Sequence, residues 1–187
     1  MYTNKTVSTD PAQTSIPPGL QWYDMLADGT PVLIRPIRKD DVQIERDFLK
    51  RLSEQSRHDR FLAVVQTPMR DVEKDLTNID YHDEMALIAI IRRDDRDVEI
   101  GAGGYWRTAD GESCHCAVAV DDQWRKRGLG ILLVQHLVEI ARAAGVRHMY
   151  AVDAAGCEKT HRLAARLGFR RRPDPEDPAA ITYELEL

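Results

Sequence analysis

The stretch from Ala117 to Gly145, AVAVDDQWRKRGLGILLVQHLVEIARAAG, constrains the fold of this chain more than any other. A short apolar run, Ala117 to Val120, breaks at Asp121-Asp122 and passes through Arg125-Lys126-Arg127-Gly128-Leu129-Gly130 into a long helical pattern. Leu129, Leu132, Leu133, His136, Leu137, Ile140 and Ala144 recur at the three-and-four spacing of a core-facing stripe. Gln135, Glu139 and Arg142 mark the polar stripe, Ile131, Val134 and Val138 widen the apolar arc, and Gly145 supplies the stop. Strand, glycine turn and helix are therefore predicted in immediate succession.

That succession has a chemical consequence. The first N–H groups of a helix have no partner within it, and the macrodipole places partial positive charge there. Glycines ahead of the helix remove side-chain bulk where backbone must approach something closely. Together they make a seat for an anion, most simply a phosphate, and the three basic residues of the turn carry the matching charge. A Walker loop is excluded, because no Gly-Lys-Ser/Thr closes the turn. A dinucleotide fingerprint is excluded as well, because its third glycine is missing. Gly101-Ala102-Gly103-Gly104 does not qualify either, since no helical pattern follows it.

Composition narrows the partners. The 187 residues fit one domain, and 43% hydrophobic residues are enough for a core. A net charge of −5 argues against nucleic acid as a partner, because binding a phosphate backbone needs a basic face. No apolar run approaches the ~20 residues of a membrane span, and the opening MYTNKTVSTD lacks an apolar signal core. Three cysteines form no disulfide framework. These features predict a cytoplasmic protein that uses no membrane.

Residues 1–19, rich in Thr, Ser and Pro, read as a flexible tail ahead of a domain spanning 20–187. Asp28-Gly29 between two strand-like runs predicts a hairpin, and Pro31 and Pro36 assign its second strand to an edge or a bulge. A helix follows from Lys39 to about Ser53 with Ile44, Phe48, Leu49 and Leu52 inward, then two shorter helices over 57–65 and 71–79 interrupted at Pro68. Met85 to Ile91 is apolar throughout and reads as a central strand. The glycines of the next strand, Val98 to Trp106, indicate a bulge or close approach by a ligand. Strands over 113–120, 148–152, 169–172 and 181–187 and a helix over 158–167 complete a mixed sheet with helices on its faces, an α/β (α+β) class.

The R-x-x-G-x-G form of Arg125, Gly128 and Gly130 resembles the pyrophosphate loop of the GNAT superfamily of N-acetyltransferases, which holds acetyl-coenzyme A. The element order from about Thr30 to Leu187 is similar to that fold, a mixed, mostly antiparallel sheet with helices on both faces. Three strings narrow the likeness: Asp28-Gly29-Thr30 leading into Val32 to Arg38, Leu52 to Leu62, and Val120 to Gly130. They resemble the acetyltransferase domain of Pat-type bacterial protein lysine acetyltransferases, which modify lysines on metabolic enzymes. The resemblance implies transfer of an acetyl group from acetyl-coenzyme A to a primary amine, with a protein lysine as the leading acceptor. A small-molecule amine acceptor and a lapsed, coenzyme-binding sensor are the alternatives. A homodimer paired through the final strands stays open.

Carried over residue by residue, the resemblance assigns coenzyme contacts to Val118, Ala119 and Val120 on the strand. It also assigns them to Arg125, Lys126, Arg127, Gly128, Leu129, Gly130 and Ile131 in the loop, and to Cys157 at the start of the last helix. Pat-like proteins carry a glutamate, the proposed base, where this chain has His115. Histidine, with an unperturbed pKa near ~6.5, serves either as a base or as a structural residue within a sheet. Many GNAT enzymes place Asn and Tyr where this chain has Cys157 and Ala164, so the usual tyrosine acid is missing. His161, one turn before Ala164, reads as a surface residue or as one turned toward the coenzyme. Arg57, His58 and Arg60, with Tyr81, His82, Asp83 and Glu84, fall on the acceptor side or are simply solvated helix and loop residues, and Arg170-Arg171-Arg172 reads as a solvated charge run more readily than as a contact to the adenosine 3′-phosphate. No metal is expected: in a strand, Cys114 and Cys116 face one way and His115 the other.

Overall fold

Alternation and turn chemistry place the strands in the computed structural model, which describes residues 16–54, 56–57, 77–174 and 177–187. Strand β1 (Trp22–Met25) pairs antiparallel with β2 (Pro31–Pro36) across the Asp28-Gly29 turn. Gly29 takes φ 82 there, and Thr30 donates its N–H to Asp28 Oδ1 at 3.0 Å. Helix α1 (Val42–Arg51) follows a 3-10 turn over Lys39–Asp41. Arg35 of β2 grips Asp41 with two nitrogens at 2.6 and 2.7 Å, fastening the sheet to the start of α1.

Strands β3 (Glu84–Arg93) and β4 (Arg96–Arg107) form a long hairpin. Asp94 and Asp95 both take positive φ, 49 and 57, the geometry of a two-residue turn that matches strand twist. Strand β5 (Ser113–Val120), helix α2 (Leu129–Ala143), β6 (His148–Ala154), helix α3 (Glu158–Arg166), β7 (Arg170–Pro173) and β8 (Ala180–Glu186) follow. Both later helices close on a left-handed glycine. After α2, Gly145 has φ 80 and Val146 N–H bonds Ala141 O at 3.0 Å. After α3, Gly168 has φ 83 and Phe169 N–H bonds Ala164 O at 3.0 Å.

The sheet order is β1-β2-β3-β4-β5-β6-β8-β7, antiparallel throughout except for β5 against β6. One face packs on α1 through Ile37, Phe48, Ala86, Ile88, Ala102 and Ala119. The other packs on α2 through Leu129, Leu133 and Leu137, against Leu87, Ile100 and Met149. Helix α3 covers the β6–β8 end with Ala164 over Ile181 and Tyr183. The mixed, mostly antiparallel sheet with helices on both faces matches expectation.

Three expectations change. Strand β2 is not an edge, because β1 lies outside it. Its prolines are tolerated at the strand's ends: Pro31 sits at the hairpin mouth opposite Met25, and Pro36 extends past the last residue that β1 pairs. The glycines of β4 make room for a helix, not a ligand. A Cβ at Gly101 would stand 2.9 Å from Leu129 Cδ2, and one at Gly103 would stand 3.2 Å from Leu137 Cδ1. The expected bulge is present beside them, where the register skips Ile100 between Gly101 and Glu99. Ala144 faces solvent, since α2 has ended before it. The tail up to residue 15 and most of the short helices expected over 57–65 and 71–79, including Pro68, lie outside the described residues.

A Cβ at Gly104 would stand 2.8 Å from the main-chain oxygen of Met85, which has no flexible end to move aside. Gly104→Ala is expected to cost about 1–3 kcal/mol, the range for overpacking a tight core. Thermal unfolding followed by circular dichroism should show a drop of about 3–10 °C. An unchanged midpoint would show that β3 and β4 can separate locally at no cost.

Candidate active site

Strands β5 and β6 are registered over three pairs only, Ser113↔His148, Cys114↔Met149 and His115↔Tyr150. Beyond that point each strand keeps a different partner. Strand β5 stays paired with β4 as far as Val120, and β6 stays paired with β8 as far as Ala154. A gap therefore opens in the middle of the sheet, with its apex at His115 and Tyr150.

Main-chain direction alternates along β5 and decides what the gap presents. Ser113 O accepts from Thr108, and Asp121 N–H donates to Ile100 O, so the odd-numbered main-chain groups turn to β4. Glu112 O accepts from His148, so the even-numbered groups turn to β6. The N–H and C=O groups of Val118 and Val120 consequently look into the gap. Ala119 does not share this direction: its main chain is committed to β4 and its methyl is buried in the core under α1.

The loop after β5 sits at the wide end of the gap. Asp121 accepts from Gln123 N–H to begin a 3-10 turn, Lys126 takes φ 62 and Gly128 φ 87, and α2 begins at Leu129. The main-chain N–H groups of Gly128, Leu129 and Gly130, at the cap and first turn of α2, find no acceptor among the described residues. The first helical bonds are made by Ile131 and Leu132, both to Gly128 O. Gly130 has open surroundings, because an added Cβ would lie 3.7 Å from Leu163 and 3.9 Å from Val120 Cγ2. Its lack of a side chain is not required by the packing of the protein itself.

The basic residues are disposed differently from expectation. Arg125 pairs with Asp122 at 2.6 Å and also reaches Ser56. Arg127 pairs with Asp28 at 2.5 Å, lies over the Trp124 ring at 4.5 Å, and accepts Ala27 N–H at its carbonyl oxygen. Hydrogen bonds from Thr30 and then Arg127 hold the Asp28 carboxyl below its ordinary range, so this pair stays charged. Two of the three positive charges are thus matched by the chain's own carboxylates, while Lys126 is exposed. The attraction left over for an anion comes mainly from the amides and the helix dipole.

Strands β5 and β6 run parallel, so the residues that follow β6 arrive at the same end as the loop. Cys157 caps α3 there, 3.4 Å from Thr160 Oγ1, and Thr160 in turn bonds Asp153. Ala164 is buried against Tyr183, facing the sheet. His161 lies beneath α3 with its ring 6.4 Å from Tyr183 and tilted by 38°, so it is a packing residue more than a surface one.

His115 projects from the other face of the sheet, between Trp106 of β4 and Tyr150 of β6. The ring centroids lie 5.6 and 6.0 Å away, and the Trp106 ring is nearly parallel to it. Partial burial lowers the histidine's pKa below its ordinary value, so the ring is neutral at pH 7 and able to accept a proton. Cys114 and Cys116 lie on the opposite face, buried under α2, and burial pushes the Cys114 thiol up to about 12 and Cys116 up further. Among the described residues no His, Cys, Asp and Glu side chains converge as a metal site.

Of the acceptor-side residues, Arg57 donates to the carbonyls of Leu49 and Leu52, and the Tyr81 hydroxyl donates to Ile37 O, so both serve the fold. His82 pairs with Asp83 at 3.0 Å, and Glu84 stands beside Trp106. His58 and Arg60 lie outside the described residues. Arg170, Arg171 and Arg172 lie on the exposed strand β7, where Arg172 pairs with Glu184 at 3.0 Å. Sequence reasoning overlooked Trp106 and Tyr150, because only strand register reveals that they flank His115.

The comparisons agree with this geometry. The profile of the Acetyltransferase (GNAT) family matches residues 49–169. An acetyltransferase of Pseudomonas aeruginosa is 37% identical over 169 residues, covering 90% of this chain and 91% of that protein. An L-methionine sulfoximine/L-methionine sulfone acetyltransferase of the same species is 40% identical over 68 residues, or 35% of this chain and 40% of that protein. The crystal structure of the GNAT domain of S. lividans PAT superposes with a TM-score of 0.80 at 23% identity, covering 92% of this chain and all of that one. The gap between β5 and β6 and the glycine turn at its wide end thus belong to a chain that is a member of the acetyltransferase (GNAT) family.

Proposed function

We propose that this acetyltransferase uses acetyl-coenzyme A as its donor and a primary amine as its acceptor, with a protein lysine as the leading acceptor. The observation that carries the donor is the open first turn of α2, where the Gly128, Leu129 and Gly130 amides stand unpartnered at the positive end of the helix. They, with Ile131 and the exposed Lys126, fit a diphosphate. Val118 and Val120 extend that line of donors and acceptors along β5, and Cys157 borders it from α3. When bound, the coenzyme supplies an acetyl group activated as a thioester.

The residues of the chain do the rest. The Val118 and Val120 amides in the gap donate to the oxyanion that develops as the carbonyl is attacked. His115, neutral at pH 7, takes the proton that the amine nitrogen loses as the new C–N bond forms and the C–S bond breaks. Ala164 has no hydroxyl, so the departing sulfur takes its proton from water. A free lysine amine has a pKa of ~10.4, so the rate should rise with pH until that amine is deprotonated. The strings over 28–38, 52–62 and 120–130 that resemble Pat-type domains support a protein lysine. The second reading, a small-molecule amine, is favoured by the 68-residue match to the methionine sulfoximine acetyltransferase.

Two measurements test the proposal. Gly130→Ala should leave thermal stability equal or slightly higher, since alanine favours a helix over glycine by about 1 kcal/mol. Calorimetry with acetyl-coenzyme A should show at least a ten-fold loss of affinity, because the new methyl projects toward the lip of the gap; unchanged affinity would remove the loop from binding. His115→Gln should lower kcat by ~10²-fold or more while coenzyme affinity holds. The wild-type pH profile should carry an acid limb below 6.5, the sign dictated by a lowered histidine pKa, and the variant should lack it. A variant that keeps both rate and limb excludes His115 as the base.

A further inference from the structure

The strand register sets a single row of side chains across the face that carries His115: Glu84, Trp106, His115, Tyr150 and Glu184. None of the central three belongs to the core under α1. Trp106 and Tyr150 flank His115 at 5.6 and 6.0 Å, and Val152, the next β6 residue on this face, lies past the last β5 pair and is 46% exposed. It is one of three large apolar side chains so exposed among the described residues, and the other two, Tyr23 and Met25, are on the distant strand β1. Glu184 follows on β8, with Arg170 of β7 opposite it. The Glu184 carboxylate accepts from the Tyr150 hydroxyl at 3.5 Å, and Arg172 reaches it from the β7 edge.

We propose that Trp106, Tyr150 and Val152 form the trough in which the acceptor's stem lies, and that they select an amine on an unbranched methylene chain, as in a lysine side chain, over an amine with a carboxylate on the neighbouring carbon. The proposal rests on the acetyl-transfer reading above. The reacting nitrogen must come within hydrogen-bonding reach of His115, which places the next atoms of the acceptor between these three side chains. Methylenes gain apolar contact there. A carboxylate at the same place would lose water and meet electron-rich ring faces, while Glu184 beyond them is already paired with Arg172. No lysine or arginine stands on the row between Glu84 and Glu184 to receive it.

The test uses the full chain with acetyl-coenzyme A and two acceptors, Nα-acetyl-L-lysine methylamide and L-methionine sulfone. Thiol release should give a kcat/KM at least ten-fold higher for the lysine amide. Saturation-transfer NMR should carry signal from irradiated aromatic protons to the lysine methylenes. Val152→Arg, a change at an exposed position, should raise KM for the lysine amide at least ten-fold, with kcat, melting temperature and coenzyme affinity near wild type. Trp106→Leu should weaken the saturation transfer, with the remainder coming from Tyr150. Equal or better turnover of L-methionine sulfone, or an unmoved KM in Val152→Arg, overturns the proposal. Wild-type protein giving no heat with acetyl-coenzyme A alone would overturn the underlying reading as well, and that result is visible before any acceptor is added.

Discussion

The parting of β5 from β6 after three registered pairs is the constraint on which the rest depends. A fully zipped sheet would satisfy the amides of Val118 and Val120 within the protein. Here β5 follows β4 over seven pairs and β6 follows β8 over seven, so the two halves of the sheet diverge beyond His115 and Tyr150. Helix α2 crosses from the end of one to the start of the other. It can lie close to the sheet because Gly101 and Gly103 leave room for Leu129, Leu133 and Leu137. The glycines of β4 therefore act on the gap indirectly, by setting how deeply α2 seats and so where its positive end stands.

The electrostatics of the loop follow a similar logic. Three adjacent basic residues invite a simple picture of charge attraction. The pairing of Arg127 with Asp28, and of Arg125 with Asp122 and Ser56, gives them a structural task instead. Arg127 ties the loop to the β1–β2 hairpin, and Arg125 ties it to the segment after α1. A loop with Lys126 and Gly128 in left-handed conformations needs such anchors, since each non-glycine residue there costs about 1–2 kcal/mol. Fixing the loop in advance spares the ligand the cost of ordering it.

What the sequence disclosed and what it concealed divide along one physical line. Local patterns were legible. The strand over Ser113–Val120 and the start of α2 follow from alternation and spacing, and the closing glycines Gly145 and Gly168 from left-handed backbone demand. The succession of strand, turn and helix proposed to seat a phosphate was legible for the same reason, because the three are contiguous. Relations between distant segments were not. Asp28 meets Arg127 across 99 positions, and nothing in either neighbourhood announces it. The edge assignment of β2 failed because its prolines occupy the strand's ends, where an outer strand makes no demand on the missing N–H. Trp106 and Tyr150 came to light only with register.

Strand β5 shows how one short element supports both halves of the chemistry. Alternation sends its even side chains, Cys114 and Cys116, into the core under α2 and turns the even main-chain groups of Val118 and Val120 to the gap. The odd residues reverse both directions: their main chain holds β4, and His115 stands on the opposite face beside Trp106 and Tyr150. A gap in a sheet is open to both faces, so donor and acceptor need not share a route. In the proposed reaction the donor would lie along the main chain from the α2 side, and the amine would come from the face of His115. A shift of β5 by one residue would exchange these roles, presenting cysteines to the acceptor and burying the histidine. The seven-pair register with β4 therefore decides which groups of β5 reach the gap and which reach the face of His115.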